Sequence, residues 1–174
     1  YYIIDMFIFK QKHNKSLYNN LVYLSRNIFF YKNLKLNDVF FTRVLLIFIH
    51  FSIILNSFKK NDDNKKIMQK IYDDLFFFIE CHLRESGLGD VAVNSKMKNL
   101  NRIFYDLTLK IKYDDDNYMI KKNILSKYFF ENSEISEKTY VNFNNYFKDF
   151  RVFCDKNDVR ELVKNKINFT YGSS

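Results

Sequence analysis

Leu83-Arg84-Glu85-Ser86-Gly87-Leu88-Gly89-Asp90-Val91-Ala92-Val93-Asn94-Ser95-Lys96-Met97-Lys98 separates two long helical patterns and holds two of the chain's three glycines. Glycine adopts positive φ without steric cost, so Gly87 is expected to stop the first helix and Gly89 to make a second tight bend. Asp90 follows as a turn residue, and Asn94 or Ser95 is placed to cap a helix carrying Lys96, Lys98 and Arg102. Proline is absent, so this corner stands out in a chain otherwise read as helices.

Working outward, Asn64 is positioned to cap a helix from Lys65 to about Glu85, with Ile67, Ile71, Leu75, Phe78 and Cys81 or His82 on one face. Beyond the corner, Ser95 to Tyr113 turns Met97, Leu100, Ile103 or Phe104, Leu107 and Ile111 inward. Lys96, Lys98, Arg102 and Lys110 form its basic side. Val39 to Leu55 is the most apolar run. It falls short of the roughly 20 uninterrupted apolar residues of a membrane span and carries Arg43 and His50 seven residues apart, so it is read as a central core helix with one polar stripe. Ser16 to Tyr31 places Leu17, Leu21, Leu24 and Ile28 at helical intervals, and Asp38 is expected to cap the apolar helix. Asp114-Asp115-Asp116 reads as the acidic start of a helix, favoured by the dipole. Met119 to Phe130, Ser136 to Cys154 and Asn157 to Lys166 complete an all-α bundle of six or seven helices with strands minimal or absent.

At 174 residues and 47% hydrophobic, the chain suits one domain with a continuous core. Residues 1–15 are set apart as a basic and apolar extension, 16–169 as the domain and 170–174 as a tail. No secretory signal pattern is seen, so cytoplasmic residence is expected. The formal charge of +8 favours an anionic partner: ribosomal RNA, another nucleic acid or an acidic membrane surface. Cys81 and Cys154 lack metal-ligand spacing, and the three adjacent aspartates lack the alternation and glycine of a calcium loop, so no metal is expected. His13, His50 and His82 form no catalytic constellation, and Gly87-Leu88-Gly89 is no dinucleotide fingerprint because no strand precedes it. The expectation is a protein that is not an enzyme, with no cofactor and no small-molecule substrate.

The motif Leu83-Arg84-Glu85-x-Gly87-x-Gly89-Asp90-x-x-Val93-x-x-Lys96-Met97-Lys98, running on to Phe104-Tyr105, resembles the signature of the ubiquinol–cytochrome c chaperone family. An arginine and a histidine spaced like Arg43 and His50 occur in a similar apolar helix of that family, and Met6-Phe7-Ile8-Phe9-Lys10 looks like the start of its bacterial members. Two departures stand out. Phe78 occupies a position where the family pattern has an acid. Asp106-Leu107 replaces the Gly-Arg that commonly follows Phe-Tyr, so a contact carried by that arginine is lost or supplied by Arg102.

The resemblance implies a non-enzymatic chaperone that binds newly made cytochrome b and supports assembly of the ubiquinol–cytochrome c oxidoreductase. It implies work with a small partner protein and the ribosome, at the cytoplasmic face of the inner membrane or the equivalent matrix side, with peripheral membrane contact. Client or partner contact is then expected at Arg84, Glu85, Gly87, Gly89, Asp90, Lys96, Lys98, Arg102 and Tyr105, beside an apolar surface. The rival reading is a small basic helical protein that binds nucleic acid through phosphate contact and base stacking. It requires one continuous stripe of lysine and arginine, whereas the bases here are spread over nearly every segment.

Overall fold

The apolar run becomes the axis of the molecule, because a helix hydrophobic on all sides must be covered on all sides. In the computed structural model, which describes residues 13–58, 64–114 and 117–171, this helix is α3, Phe40–Phe58. Every residue from Val44 to Ile54 on it is buried. By length and composition alone α3 could cross a membrane. Here it is jacketed by α1 (Lys15–Ser25), α5 (Asp90–Lys110), α7 (Glu137–Lys156) and α8 (Val159–Lys164). α4 (Lys65–Glu85) packs on α1 and α5, and α2 (Ile28–Lys32) and α6 (Lys122–Phe129) are shorter. The described residues thus form an all-α domain with six helices of eight residues or more and two shorter ones.

Aromatic rings fill the space between α3 and α7. Phe143, Tyr146, Phe147, Phe150 and Cys154 recur on one face of α7 and are fully buried. Phe147 meets Phe30, His50, Phe143 and Tyr146 with ring centroids 4.8–5.8 Å apart. The C-terminal run is extended, with Ile167 and Phe169 buried. Asn20 holds it to α1: its Nδ2 donates to the Asn165 carbonyl and its Oδ1 accepts from the Ile167 amide.

Five local expectations are corrected. The helix expected over Ser16–Tyr31 breaks at Arg26 and Asn27, where the Asn27 side chain accepts from the Phe29 amide and starts α2. Asn64 sits at the N-cap of α4 without capping it, since its Nδ2 donates to the Phe58 carbonyl and its Oδ1 accepts from Arg160. Asp38 likewise spends its carboxylate on Arg43. Gly87 has φ 86° and stops α4 as expected, but Gly89 is extended, with φ −71° and ψ 160°, and is itself the N-cap of α5. The helix therefore restarts at Asp90, ahead of Asn94 and Ser95, with Asp90 favoured in the first turn by the dipole.

The fifth correction is a hairpin. β1 (Lys112–Asp114) pairs antiparallel with β2 (Asn117–Met119) in the register Lys112 to Met119 and Tyr113 to Tyr118. Asp115 and Asp116 lie outside the described residues, and α6 begins only at Lys122. The Asn144 side chain of α7 seals the exit from the hairpin. Its Oδ1 accepts from the Ile120 amide and its Nδ2 donates to the Ile120 carbonyl, replacing the ladder partner that a third strand would supply.

Candidate functional site

The corner between α4 and α5 is tied by one arginine. Arg84 donates to Glu80 one turn back at 2.8 and 3.0 Å and to Asp90 at the start of α5. These carboxylates, Asp90 foremost, raise the Arg84 pKa. The pairs are exposed, so they set the corner's geometry more than its stability. Glu85, Lys96 and Lys98 are exposed around this corner, and Gly87 and Gly89 have open space where a Cβ would stand. Arg102 donates to Asn99 on its own helix.

Tyr105 is not part of the corner. It lies 15 residues beyond Asp90, about 22 Å along α5 at the rise of an α-helix. There it borders a groove of about 530 Å³ between α4 and α5, floored by Leu55 and Phe104. One wall is Lys65, Met68, Gln69 and Tyr72, the i, i+3, i+4 and i+7 positions of α4; the other is Tyr105, Thr108 and Leu109. The channel is thus about two helical turns long. Tyr105 is 55% exposed and Leu109 84%, a large apolar surface to leave in water. Tyr72 donates to Asn101 at 2.6 Å, and burial, followed by its contact with Tyr105, raises its pKa.

The sequence-derived set therefore divides in two. Arg84, Glu85, Gly87, Gly89, Asp90, Lys96 and Lys98 form the charged corner, Tyr105 belongs to the apolar groove, and Arg102 lies between them on α5. Sequence reading missed Leu55, Met68, Tyr72 and Leu109. The available signal was Leu109, an apolar residue off the inward stripe of its own helix.

Arg43 and His50 do not share a polar stripe. Arg43 is half-buried and pairs with Asp38 at 2.7 Å, whereas His50 is wholly buried. Its Nδ1–H donates to the Leu46 carbonyl at 2.8 Å and its Nε2 accepts from the Tyr146 hydroxyl at 3.1 Å, among the rings of Phe30, Phe147 and Phe150. Burial drives its pKa down to about 3, so the ring is neutral and joins α3 to α7 as a hydrogen-bonded strut. Buried and bonded at both ring nitrogens, it serves the fold.

The profile of the ubiquinol-cytochrome C chaperone family matches residues 32–134, a span that contains α3, the corner and both walls of the groove. The crystal structure of the Cbp3 homolog from Brucella abortus superposes with a TM-score of 0.69 at 22% identity, covering 89% of this chain and 87% of that one, which shows a shared fold. No curated protein sequence matches.

Proposed function

This chain belongs to the ubiquinol-cytochrome C chaperone family, and from that premise we propose that it receives newly made cytochrome b and seats an apolar segment of it in the α4–α5 groove. The role fits a chaperone of ubiquinol–cytochrome c reductase assembly that works by binding, without catalysis. The observation that carries the proposal is the groove itself. Its two walls are helical faces lined by Met68, Tyr72, Tyr105 and Leu109, and its length suits about two turns of a docked amphipathic segment. The charged corner stands at the far end of the same helix pair, with Lys96 and Lys98 exposed to meet acidic groups flanking such a segment.

A client with apolar helices reaches this protein before insertion, so the reading carries with it residence on the side of the inner membrane where cytochrome b is made, near the ribosome and a small partner protein. A nucleic-acid interface is less well supported, because the cations are dispersed and many serve local pairs: Lys110 and Lys127 share Asp106, and Lys122 meets Glu137. The test is binding of a synthetic apolar helix from cytochrome b to the wild type and to Leu109→Asp. The proposal expects loss of binding with the helical spectrum unchanged; retention of full affinity sinks the assignment of the groove.

A further inference from the structure

The α4–α5 groove is apolar at its floor, but its walls also carry Lys65, Gln69, Tyr72, Tyr105 and Thr108. These polar side chains differ in how their hydrogen bonds are met. Gln69 Nε2 donates to Asp73 at 2.8 Å, and the Tyr72 hydroxyl donates to Asn101 Oδ1, whose own Nδ2 donates to the Met97 carbonyl. Lys65 and Tyr105 are exposed. Thr108 stands apart: its Oγ1 is buried from water and has no hydrogen-bond partner among the described residues.

Other hydroxyls of this molecule behave differently. A hydroxyl on a helix commonly returns to the carbonyl three or four residues back. Ser25, Ser52, Ser57 and Ser86 do so, donating to the carbonyls of Val22, Ile49, Ile53 and Leu83. Thr108 makes no such bond to Phe104 or Tyr105. An unpaired buried hydroxyl is destabilising, and one kept in the wall of a binding channel is accounted for by a ligand that pairs it.

We infer that Thr108 is a specificity determinant of the groove, which selects an apolar helical segment carrying one hydroxyl side chain, a serine or threonine, placed to bond Thr108 Oγ1. The inference rests on the reading of the groove as the client site and adds which kind of segment that site selects. A hydroxyl both donates and accepts, so a second hydroxyl pairs it in either direction. Water is already excluded from Thr108 Oγ1 in the free protein. A segment that pairs it therefore gains the bond without having to dehydrate this partner.

Thr108 lies one turn after Tyr105 and next to Leu109 on the α5 wall. Those two side chains are largely in water, so a docked segment reaches the hydroxyl by turning them aside and leaves the core packing in place. A wholly aliphatic segment fills the same channel and leaves Thr108 unpaired. A site that holds a buried polar group discriminates on that difference, whereas apolar contact with Met68 and Leu109 alone is tolerant of sequence.

Threonine and valine differ by a hydroxyl in place of a methyl, so exchanging them on both sides isolates the bond. Fluorescein-labelled helical peptides carry valine throughout their apolar face, or a single threonine stepped through its positions. They are titrated by anisotropy against full-length wild type, Thr108→Val and Thr108→Ser, with circular dichroism to show that each variant is folded. At one register the affinity ratio of threonine peptide to valine peptide should be about fivefold or more higher in the wild type than in Thr108→Val, and Thr108→Ser should restore it. The same ratio in wild type and Thr108→Val at every register overturns the inference, while binding of the valine peptide leaves the groove as an apolar docking site. A Thr108→Ser variant that discriminates no better than Thr108→Val overturns it as well, because the preference then follows the methyl and not the hydroxyl. Failure of every peptide to bind the wild type overturns both readings.

Discussion

The buried His50–Tyr146 strut makes a pH-dependent contribution to stability whose sign and size follow from its environment. The ordinary histidine pKa is 6.5 and burial lowers that of His50 to about 3. Above the ordinary value the ring is neutral in both folded and unfolded chains and contributes no slope. Below it the unfolded chain binds a proton that the folded chain refuses, so stability falls as the pH drops from 6.5 toward 3. At 1.36 kcal/mol per unit, acidification from pH 7 to pH 5 removes about 2 kcal/mol through this one group. Replacing both partners with apolar residues of similar shape, His50→Leu/Tyr146→Phe, removes the titration without orphaning a buried polar atom, so stability at pH 7 should change little. Urea unfolding followed by circular dichroism at pH 7, 6 and 5 measures the difference directly, because carboxylates elsewhere titrate alike in both proteins. The double variant should lose about 2 kcal/mol less than the wild type between pH 7 and 5. Equal losses would refute the reasoning, and mean that the ring accepts its proton in the folded state.

Two further predictions concern the corner and the hairpin. Gly87 has φ 86° whereas Gly89 is an extended N-cap without a side-chain bond, so Gly87→Ser should cost about 1 kcal/mol and Gly89→Ser should gain a few tenths, both read by thermal unfolding. A cost at Gly89 equal to that at Gly87 would contradict the assigned geometry. Asn144→Ala leaves the Ile120 amide and carbonyl without their side-chain partner and should cost about 2 kcal/mol. Hydrogen exchange at the Ile120 amide should rise with it, and unchanged protection there would show that the clamp contributes nothing.

Long apolar periodicities make most of the fold legible in sequence. α4 is legible at its bounds and α7 within two residues at its C-terminal end, because Ile71 and Leu75 in α4, and Phe143, Phe147 and Phe150 in α7, recur on a face that tertiary packing then covers, although in the second half of α4 the buried residues are Phe76, Ile79 and Leu83 and not the expected Phe78 and Cys81 or His82. Sequence reading fails where one side chain decides between alternatives over three or four residues. Asn27 breaks a helix that the leucine pattern would continue, and Asn64 bonds Phe58 and Arg160 in preference to its own helix end. The hairpin is hidden because its strands are three residues long and draw their support from Asn144, 24 positions beyond Ile120. The candidate site is half legible. Charged residues and glycines at the corner announce themselves locally, whereas the groove exists only when α4 and α5 are laid side by side, with Leu55 of α3 as part of its floor.

The central claim, that this protein holds a cytochrome b segment against the α4–α5 groove, is tested most directly by site-specific photocrosslinking. A photoreactive phenylalanine analogue is placed at Tyr105, and separately at exposed Val152 on α7 as a control, in protein present while cytochrome b is being made. The account predicts a cytochrome b adduct from position 105, none from position 152, and loss of the adduct in Leu109→Asp. Adducts at both positions alike, or none at 105 while the client is still captured, would contradict it.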